Sequence, residues 1–343
     1  MRKFIYILLF LILAAGGSAV LLMYGRIWRN NINLPAGESI VLYIPTGSDF
    51  NDVYDRLREQ GILQDTASFR WVALKKNYPR NVRPGRYRIR SGMSNDRLAG
   101  MLRSGNQEPV RLVFNNIRTP AMLAGVVSEQ IEADSLSILS LFSDTKLLEA
   151  NQLTRETVMG IFIPNTYEIY WNTSARQFFD RMLREYRLFW NEKRLAQARR
   201  MGMEPMEVMT LASIVDEETL IPEEEARVAG VYINRLNRRM RLQADPTVKF
   251  AAGDMNMTRV LKKHLLIDSP YNTYRHGGLP PGPIVIPSIS VIDAVLNYER
   301  HNYIYFCAKE DFSGYHNFAA TLAQHNKNAR SYQNALDRRK IFN

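Results

Sequence analysis

Leu211-Ala-Ser-Ile-Val-Asp-Glu-Glu-Thr219 closes a helix that opens at Pro205, a residue suited to a first turn, and that ends before Pro222. At about 100° per residue, Val208, Leu211, Ala212, Ile214 and Val215 fall on one broad arc. Glu218 falls inside that arc, three or four residues after Ile214 and Val215, whereas Glu217 points away with Thr210 and Ser213, and Asp216 sits at the far margin beside Met209. A carboxyl on an apolar face is costly to ionise, so its pKa rises, and an acid still protonated near neutral pH can serve as a general acid. A second reading stands beside this one: a glutamate at a helix end that bonds a neighbouring amide or pairs with an arginine.

The rest of the chain bounds what such an acid could act on. With 343 residues there is room for two domains after a short leader, and 46% hydrophobic residues can fill real cores. The single cysteine, Cys307, excludes an intrachain disulfide and selects no compartment. A net charge of +11 suggests anionic partners: nucleic acid, phospholipid headgroups or an acidic polymer.

Phe4 to Tyr24 carries no charge and is about one bilayer span long, which takes most of the weight from nucleic acid. Arg2 and Lys3 precede it and Arg26 and Arg29 follow, so the charge bias that orients a span is weak. The alternative is a cleaved signal peptide, because Ala14-Ala-Gly-Gly-Ser-Ala19 is rich in small residues. Apolar residues continue through Val20-Leu-Leu-Met23, too long for a usual signal core, which favours an uncleaved anchor over residues 1–29. Either way the remainder is expected outside the cytoplasm.

Asn30 to Glu38 reads as a short polar linker. Ile40–Ile44 is expected as a strand, Phe50–Gln60 and Thr66–Lys76 as helices, Arg83–Ile89 as a turn and strand, and Ser94–Ser104 as a third helix. These elements make a small α+β module within residues 30–108. Val110–Phe114 begins a mixed α+β domain over residues 109–343. There, residues 119–158 read as short helices, Gly160–Tyr167 as a strand or loop, Ser174–Arg200 as one long amphipathic helix and Pro222–Arg239 as another. Loops dense in polar, Gly and Pro residues follow, then a strand at Tyr303–Cys307 and a terminal helix from about Ala319 to Lys340.

Three loop clusters accompany the acid. In Arg241-Leu-Gln-Ala-Asp-Pro-Thr-Val248, Gln243 and Asp245 could bond sugar hydroxyls, or Asp245 could cap the turn before Pro246. Ser269-Pro-Tyr-Asn-Thr-Tyr274 and Gly277-Gly-Leu-Pro-Pro-Gly-Pro283 offer flat apolar faces, amides and hydroxyls, as a carbohydrate groove requires, or simply a rigid irregular loop. His316-Asn-Phe318 and His325-Asn326 place two histidines nine residues apart, which is no standard metal spacing and reads as structural. Cys307 lies in an apolar strand, the setting of an inert thiol. There is no phosphate-binding loop, dinucleotide fingerprint or nucleophile elbow, so a carboxylate is the expected chemical centre.

Taken in order, Leu211–Thr219, Leu242–Val248, Ser269–Tyr274, Gly278–Pro283 and the His316/His325 tail resemble the YceG-like, or MltG, family of endolytic murein transglycosylases. The resemblance covers the whole chain and implies a membrane anchor, a LysM-like module matching residues 38–105 and a catalytic domain beyond. The family's acid falls on Glu218, and Asp216 is a weaker candidate at a position where the family often has Glu. Two departures stand out. The family's Phe-Pro-Asp-Thr-Tyr run reads Ile163-Pro-Asn-Thr-Tyr167 here, and Met159 lies near the expected acid. A further change, Ile286-Pro-Ser288, falls where Asn-Pro-Gly-like residues are usual.

The implied chemistry is non-hydrolytic. Glu218 would protonate the oxygen joining N-acetylmuramic acid to N-acetylglucosamine, then accept the proton of the muramic C6 hydroxyl as that oxygen closes on C1. Gln243, Asp245, Tyr271, Asn272 and Tyr274 are the expected groove contacts, with no metal and no organic cofactor. The implied partners are nascent glycan strands, the plasma (inner) membrane through a single pass and, for strand termination, peptidoglycan synthases, with the catalytic domain on the periplasmic or extracytoplasmic side. Two other readings remain open at this point: an inert glycan-binding scaffold, and a muramidase using Glu218 and Asp245 as two carboxylates.

Overall fold

The computed structural model describes residues 2–339. The chain divides into two compact units, one of residues 1–112, 129–133 and 167–174, the other of residues 113–128, 134–166 and 175–343. Both mix helices with short two-stranded sheets.

The first unit begins with α1 (Arg2–Trp28). Its segment Lys3–Trp28 is long and apolar enough to cross a membrane. β1 (Ser39–Ile44) and β2 (Gly85–Arg90) pair antiparallel, with Leu42 opposite Tyr87, and α2 (Phe50–Glu59) and α3 (Thr66–Lys75) lie between them in the chain. α4 (Asn95–Ser104) starts at the Ser94 cap, whose hydroxyl accepts from Arg97 N, and stops at Gly105 in the left-handed region. Leu42, Ile44, Val53, Leu57, Phe69, Tyr87, Ile89 and Leu98 share one apolar core, the inward set of a period-2 and a period-3.6 pattern meeting. β3 (Val110–Val113) pairs with β4 (Thr166–Ile169).

The stretch read as a linker is instead built in. Ile32 has no exposure and Asn31 is buried. Asn31 N donates to Met93 O at 3.1 Å, and its side-chain amide donates to Asn95 Oδ1 at 2.7 Å. Residues 30–33 are ordered because their polar groups find partners inside the unit.

In the second unit α5 (Pro120–Ser128), α6 (Ser135–Leu141) and α7 (Thr145–Ala150) are the short helices expected from the sequence. The long helix expected over Ser174–Arg200 is two: α8 (Ala175–Phe189) and α9 (Glu192–Met201). Asn191 breaks it by turning extended and accepting Arg194 N on its side chain at 3.1 Å, a cap with no proline or glycine to announce it. α10 (Pro205–Glu218) and α11 (Pro222–Asn237) both open on proline, and α11 has Glu223, Glu224 and Glu225 in its first turn, where the helix dipole favours anions.

Two further helices occupy the region read as loops, α12 (Asp245–Ala251) and α13 (Ile289–Leu296). β5 (Tyr305–Ala308) pairs with β6 (His316–Ala319), so His316 is in a strand. α14 (Leu322–Arg338) begins three residues later than Ala319; the expected end at Lys340 lies outside the described residues.

α10 is the spine of the second unit. All residues from Val208 to Val215 are buried, against α9, α11, α12 and α13. Its one fully buried hydroxyl, Ser213, accepts Ile284 N at 3.0 Å and donates to Thr210 O, which pins the Pro-rich loop to the helix. Gly282 in that loop is required by space, since any Cβ there would overlap the Glu156 carbonyl.

Candidate active site

The three acids that end α10 have three different settings. Asp216 accepts from Ser288 Oγ at 3.0 Å and Ser288 N at 3.3 Å, at the start of α13. Burial raises its pKa, opposed by those two bonds. Glu217 pairs with Arg118, Nε to Oε1 at 3.1 Å. Glu218 meets no cation at ion-pair distance among the described residues; its Oε1 accepts from the Tyr232 hydroxyl at 2.6 Å. Its residue is partly exposed, yet protein closes around the carboxyl and desolvation lifts its pKa to about 7. The Tyr232 bond, Lys249 and Arg235 work against that rise, while Asp245 adds to it.

Tyr232 and Arg235 both come from α11 and neither is evident from the loop motifs. Tyr232 is almost fully buried within the core shared by Val228, Ala229 and Ile233, and burial next to Glu218 raises its pKa. Arg235 donates from Nε to Ile304 O at 2.6 Å and from Nη1 to Leu242 O at 2.7 Å and Gln243 Oε1 at 3.3 Å. Its rigid fork thus fixes both the approach to β5 and the loop leading to α12. The available signal was an aromatic and a cation at helical spacing on an apolar stripe.

The loop residues divide into two groups. Gln243 and Asp245 are exposed and Tyr274 half-buried, and all three line one cavity with Glu218. Gln243 takes a left-handed φ of 51°, a strained backbone for a residue with a side chain, held by Gln243 N to Thr273 O at 3.2 Å. Asp245 does not cap α12, whose cap position is Ala244; its Oδ1 accepts from the Tyr274 hydroxyl at 2.7 Å. Burial and that bond raise the Tyr274 pKa.

Tyr271 and Asn272 do not reach the cavity. Asn272 has no exposure, and its amide donates to Leu265 O at 3.1 Å and Ile267 O at 2.8 Å, folding its own loop. Tyr271 packs on Phe250, with ring centroids 4.6 Å apart. Of the tail histidines, His316 Nδ1 bonds Glu224 Oε2 at 2.8 Å and is structural. His325 lines the cavity, stacked on Tyr305 at 5.1 Å, and its buried Nδ1 has no hydrogen-bond partner among the described residues. Burial and Arg235 lower the His325 pKa.

Glu218 and Asp245 each line two cavities. One, of about 460 Å³, extends toward Tyr274, Tyr305 and His325. The other, of about 640 Å³, extends toward Lys249, Arg259 and Tyr332. Each has the volume of a small-molecule site, and their walls are mostly polar, which suits hydroxyl-rich ligands. The arrangement can bring a partly protonated carboxyl to a ligand held in either cavity.

The profile of the YceG-like family matches residues 42–331. The endolytic murein transglycosylase of Bacillus subtilis is 27% identical over 328 residues, covering 90% of this chain and 89% of that protein. Its counterpart in Streptococcus pneumoniae is 25% identical over 331 residues, covering 86% of this chain; the chain spans only 59% of that relative's length. Among solved structures, a 2.6 Å crystal structure of a YceG-like protein from Listeria monocytogenes superposes with a TM-score of 0.56 at 28% identity, over 84% of this chain and 99% of that one. The chain belongs to the YceG-like family.

Proposed function

We propose that the chain is a membrane-anchored lytic transglycosylase that cuts murein glycan strands internally, between N-acetylmuramic acid and N-acetylglucosamine. The observation that carries this reading is Glu218, with a pKa of about 7, at the meeting of two cavities. Near neutral pH a large share of molecules hold its proton, as a general acid requires. Two polar-walled cavities that share this acid suit a hydroxyl-rich glycan, and the internal cut is what the names of the relatives support.

In the proposed reaction Glu218 gives its proton to the glycosidic oxygen and the muramic C1–O bond breaks. Positive charge develops at C1, and the Glu218 carboxylate takes the proton of the C6 hydroxyl as O6 bonds to C1. The new end is a 1,6-anhydro sugar, no water is consumed, and Glu218 finishes protonated as it began. Tyr232 is a positioning residue, since its hydroxyl orients the carboxyl and stabilises the charged form between the two proton transfers. Gln243, Asp245 and Tyr274 are proposed groove contacts, whereas the packing of Tyr271 and Asn272 supports a role in shaping the loop.

The proposed organisation is an anchor at residues 1–29, a LysM-like module at 30–108 and the catalytic domain at 109–343, outside the cytoplasm. Support for the module comes from its β1-α2-α3-β2 order over one apolar core, and for the anchor from the apolar Lys3–Trp28 helix. Asp245, which shares both cavities with Glu218, is the one feature favouring a two-carboxylate muramidase instead. Mass spectrometry of fragments released from purified murein by the detergent-solubilised chain separates the two. Anhydro-muramic ends, absent with Glu218→Gln, support the transglycosylase; reducing ends would transfer the assignment to a hydrolase.

A further inference from the structure

We propose that the cavity between β2 and α4 in the first unit binds the phosphate of an anionic phospholipid headgroup. The period of two along β2 sets the site up. Tyr87 and Ile89 are buried in the core, so Arg86, Arg88 and Arg90 emerge together on the opposite face. A single acid answers all three: Glu108 lies 2.7 Å from Arg88, 3.4 Å from Arg86 and 3.7 Å from Arg90. The adjoining cavity, about 380 Å³, is lined by Arg88, Arg90 and Arg97, with Glu108 as its only carboxylate, so two positive charges are left over. Arg97 is exposed on α4 and meets no acid at ion-pair distance among the described residues. Met93 and Met101 complete the wall with apolar, adaptable surface.

The neighbourhood of this cavity selects the ligand. Its α4 wall is tied directly to the end of α1. Asn95 Nδ2 donates to Arg26 O at 2.8 Å, Ser94 bridges Asn30, and Met93 O accepts Asn31 N. Tyr24 and Trp28, ring centroids 5.3 Å apart, are exposed on the last turns of α1, where interfacial aromatics mark the headgroup level of a bilayer. An unneutralised arginine set adjoining that level fits a phosphate, which guanidinium groups bind through paired hydrogen bonds. The inference rests on α1 crossing a membrane, as proposed above.

The test titrates the full chain, in a neutral maltoside detergent, with dihexanoyl phosphatidylglycerol, dihexanoyl phosphatidylcholine and sodium phosphate. Calorimetry gives the affinity, and hydrogen exchange across residues 86–97 gives the location. The expected result is saturable phosphatidylglycerol binding with protection of that segment. Arg97→Gln should weaken it about tenfold, the loss of one charge-assisted bond, and Arg88→Gln with Arg97→Gln should weaken it further. Because Arg97 is exposed and unpaired, its variant should keep the parent's thermal melt. Equal binding by Arg97→Gln, or phosphatidylcholine bound as well as phosphatidylglycerol, would overturn the proposal. Inorganic phosphate bound as tightly as the lipid would make this a free-anion site and overturn the lipid assignment. The anchor is judged separately by membrane fractionation: a chain that fractionates as soluble yet binds phosphatidylglycerol through Arg97 would sink the anchor and leave the site standing.

Discussion

Glu108 in the first unit has three arginines within 3.7 Å, while Glu218 in the second has a tyrosine hydroxyl at 2.6 Å and, among the described residues, no ion pair. The side chains are identical and the surroundings opposite. Glu108 lies in the coil after α4 among three arginines of β2, so its negative charge is answered on the spot. Glu218 ends a helix whose preceding residues, Val208 to Val215, are all buried, and the guanidinium of Arg235, which lines the same cavity, is occupied by backbone carbonyls. Glu108 is surrounded by counter-charges; Glu218 is given burial and a neutral hydroxyl donor, the setting that raises a carboxyl's pKa.

The contrast is broken most severely at Glu218 itself. Glu218→Gln should lower murein cleavage by roughly 10²–10⁴-fold, the range for loss of general acid catalysis, with fragment release as the readout. Retained activity would mean that the desolvated acid is incidental. The same variant reports on burial through stability. Below the unfolded value of 4.5 the carboxyl is protonated in folded and unfolded chains alike, so burial carries no penalty; as pH rises toward the folded value of about 7 the unfolded chain ionises more readily and stability is lost. Glu218→Gln escapes that loss. It should therefore be more stable than its parent by roughly 2–3 kcal/mol above about pH 8 and gain nothing near pH 4, as read from denaturant melts across pH. A pH-independent difference would show that Glu218 is not starved of solvation.

Tyr232→Phe sharpens the comparison by removing the hydroxyl that donates to Glu218. That bond lowers the acid's pKa, so its loss should move the alkaline limb of the pH–rate profile upward by about one unit, with kcat reduced about tenfold. An unmoved limb would reduce Tyr232 to packing. Tyr274→Phe releases Asp245 from its 2.7 Å bond and should cost roughly three- to tenfold in kcat/KM, the worth of one hydrogen bond. Smallest of all is Asp216→Asn, which still offers an acceptor to Ser288; cleavage should stay within about twofold of the parent. A deep loss there would mean that the wrong acid of α10 had been chosen.

Much of this was legible because it depends on local periodicity. The apolar arc of α10, its proline start and the inward position of Glu218 are all properties of consecutive residues. So is the alternation of β2. What escaped depends on partners distant in the chain. Tyr232 is fourteen residues beyond Glu218 on another helix, and Arg235 finds its carbonyls at Leu242 and Ile304. Asp245 before Pro246 looks like a turn cap until Tyr274 claims its carboxylate. Asn272 reads as a sugar ligand until two carbonyls of its own loop use its amide. The break at Asn191 was invisible for another reason: asparagine inside a charged amphipathic pattern is compatible with either a continuous helix or a new cap.

The absence of slack after α1 has a mechanical consequence. Ile27 packs on the first unit's core, Asn95 holds the Arg26 carbonyl, and Asn31 and Ile32 are interior residues. With α1 in a bilayer, the first unit is mounted rather than tethered. Its height and rotation about the membrane normal follow the helix, as a tool head follows a rigid shaft. A flexible insert of Gly and Ser after Arg29 would turn that shaft into a leash, and the first unit's distance from the lipid, measured by fluorescence quenching from labelled headgroups, should change from one sharp value to a broad distribution.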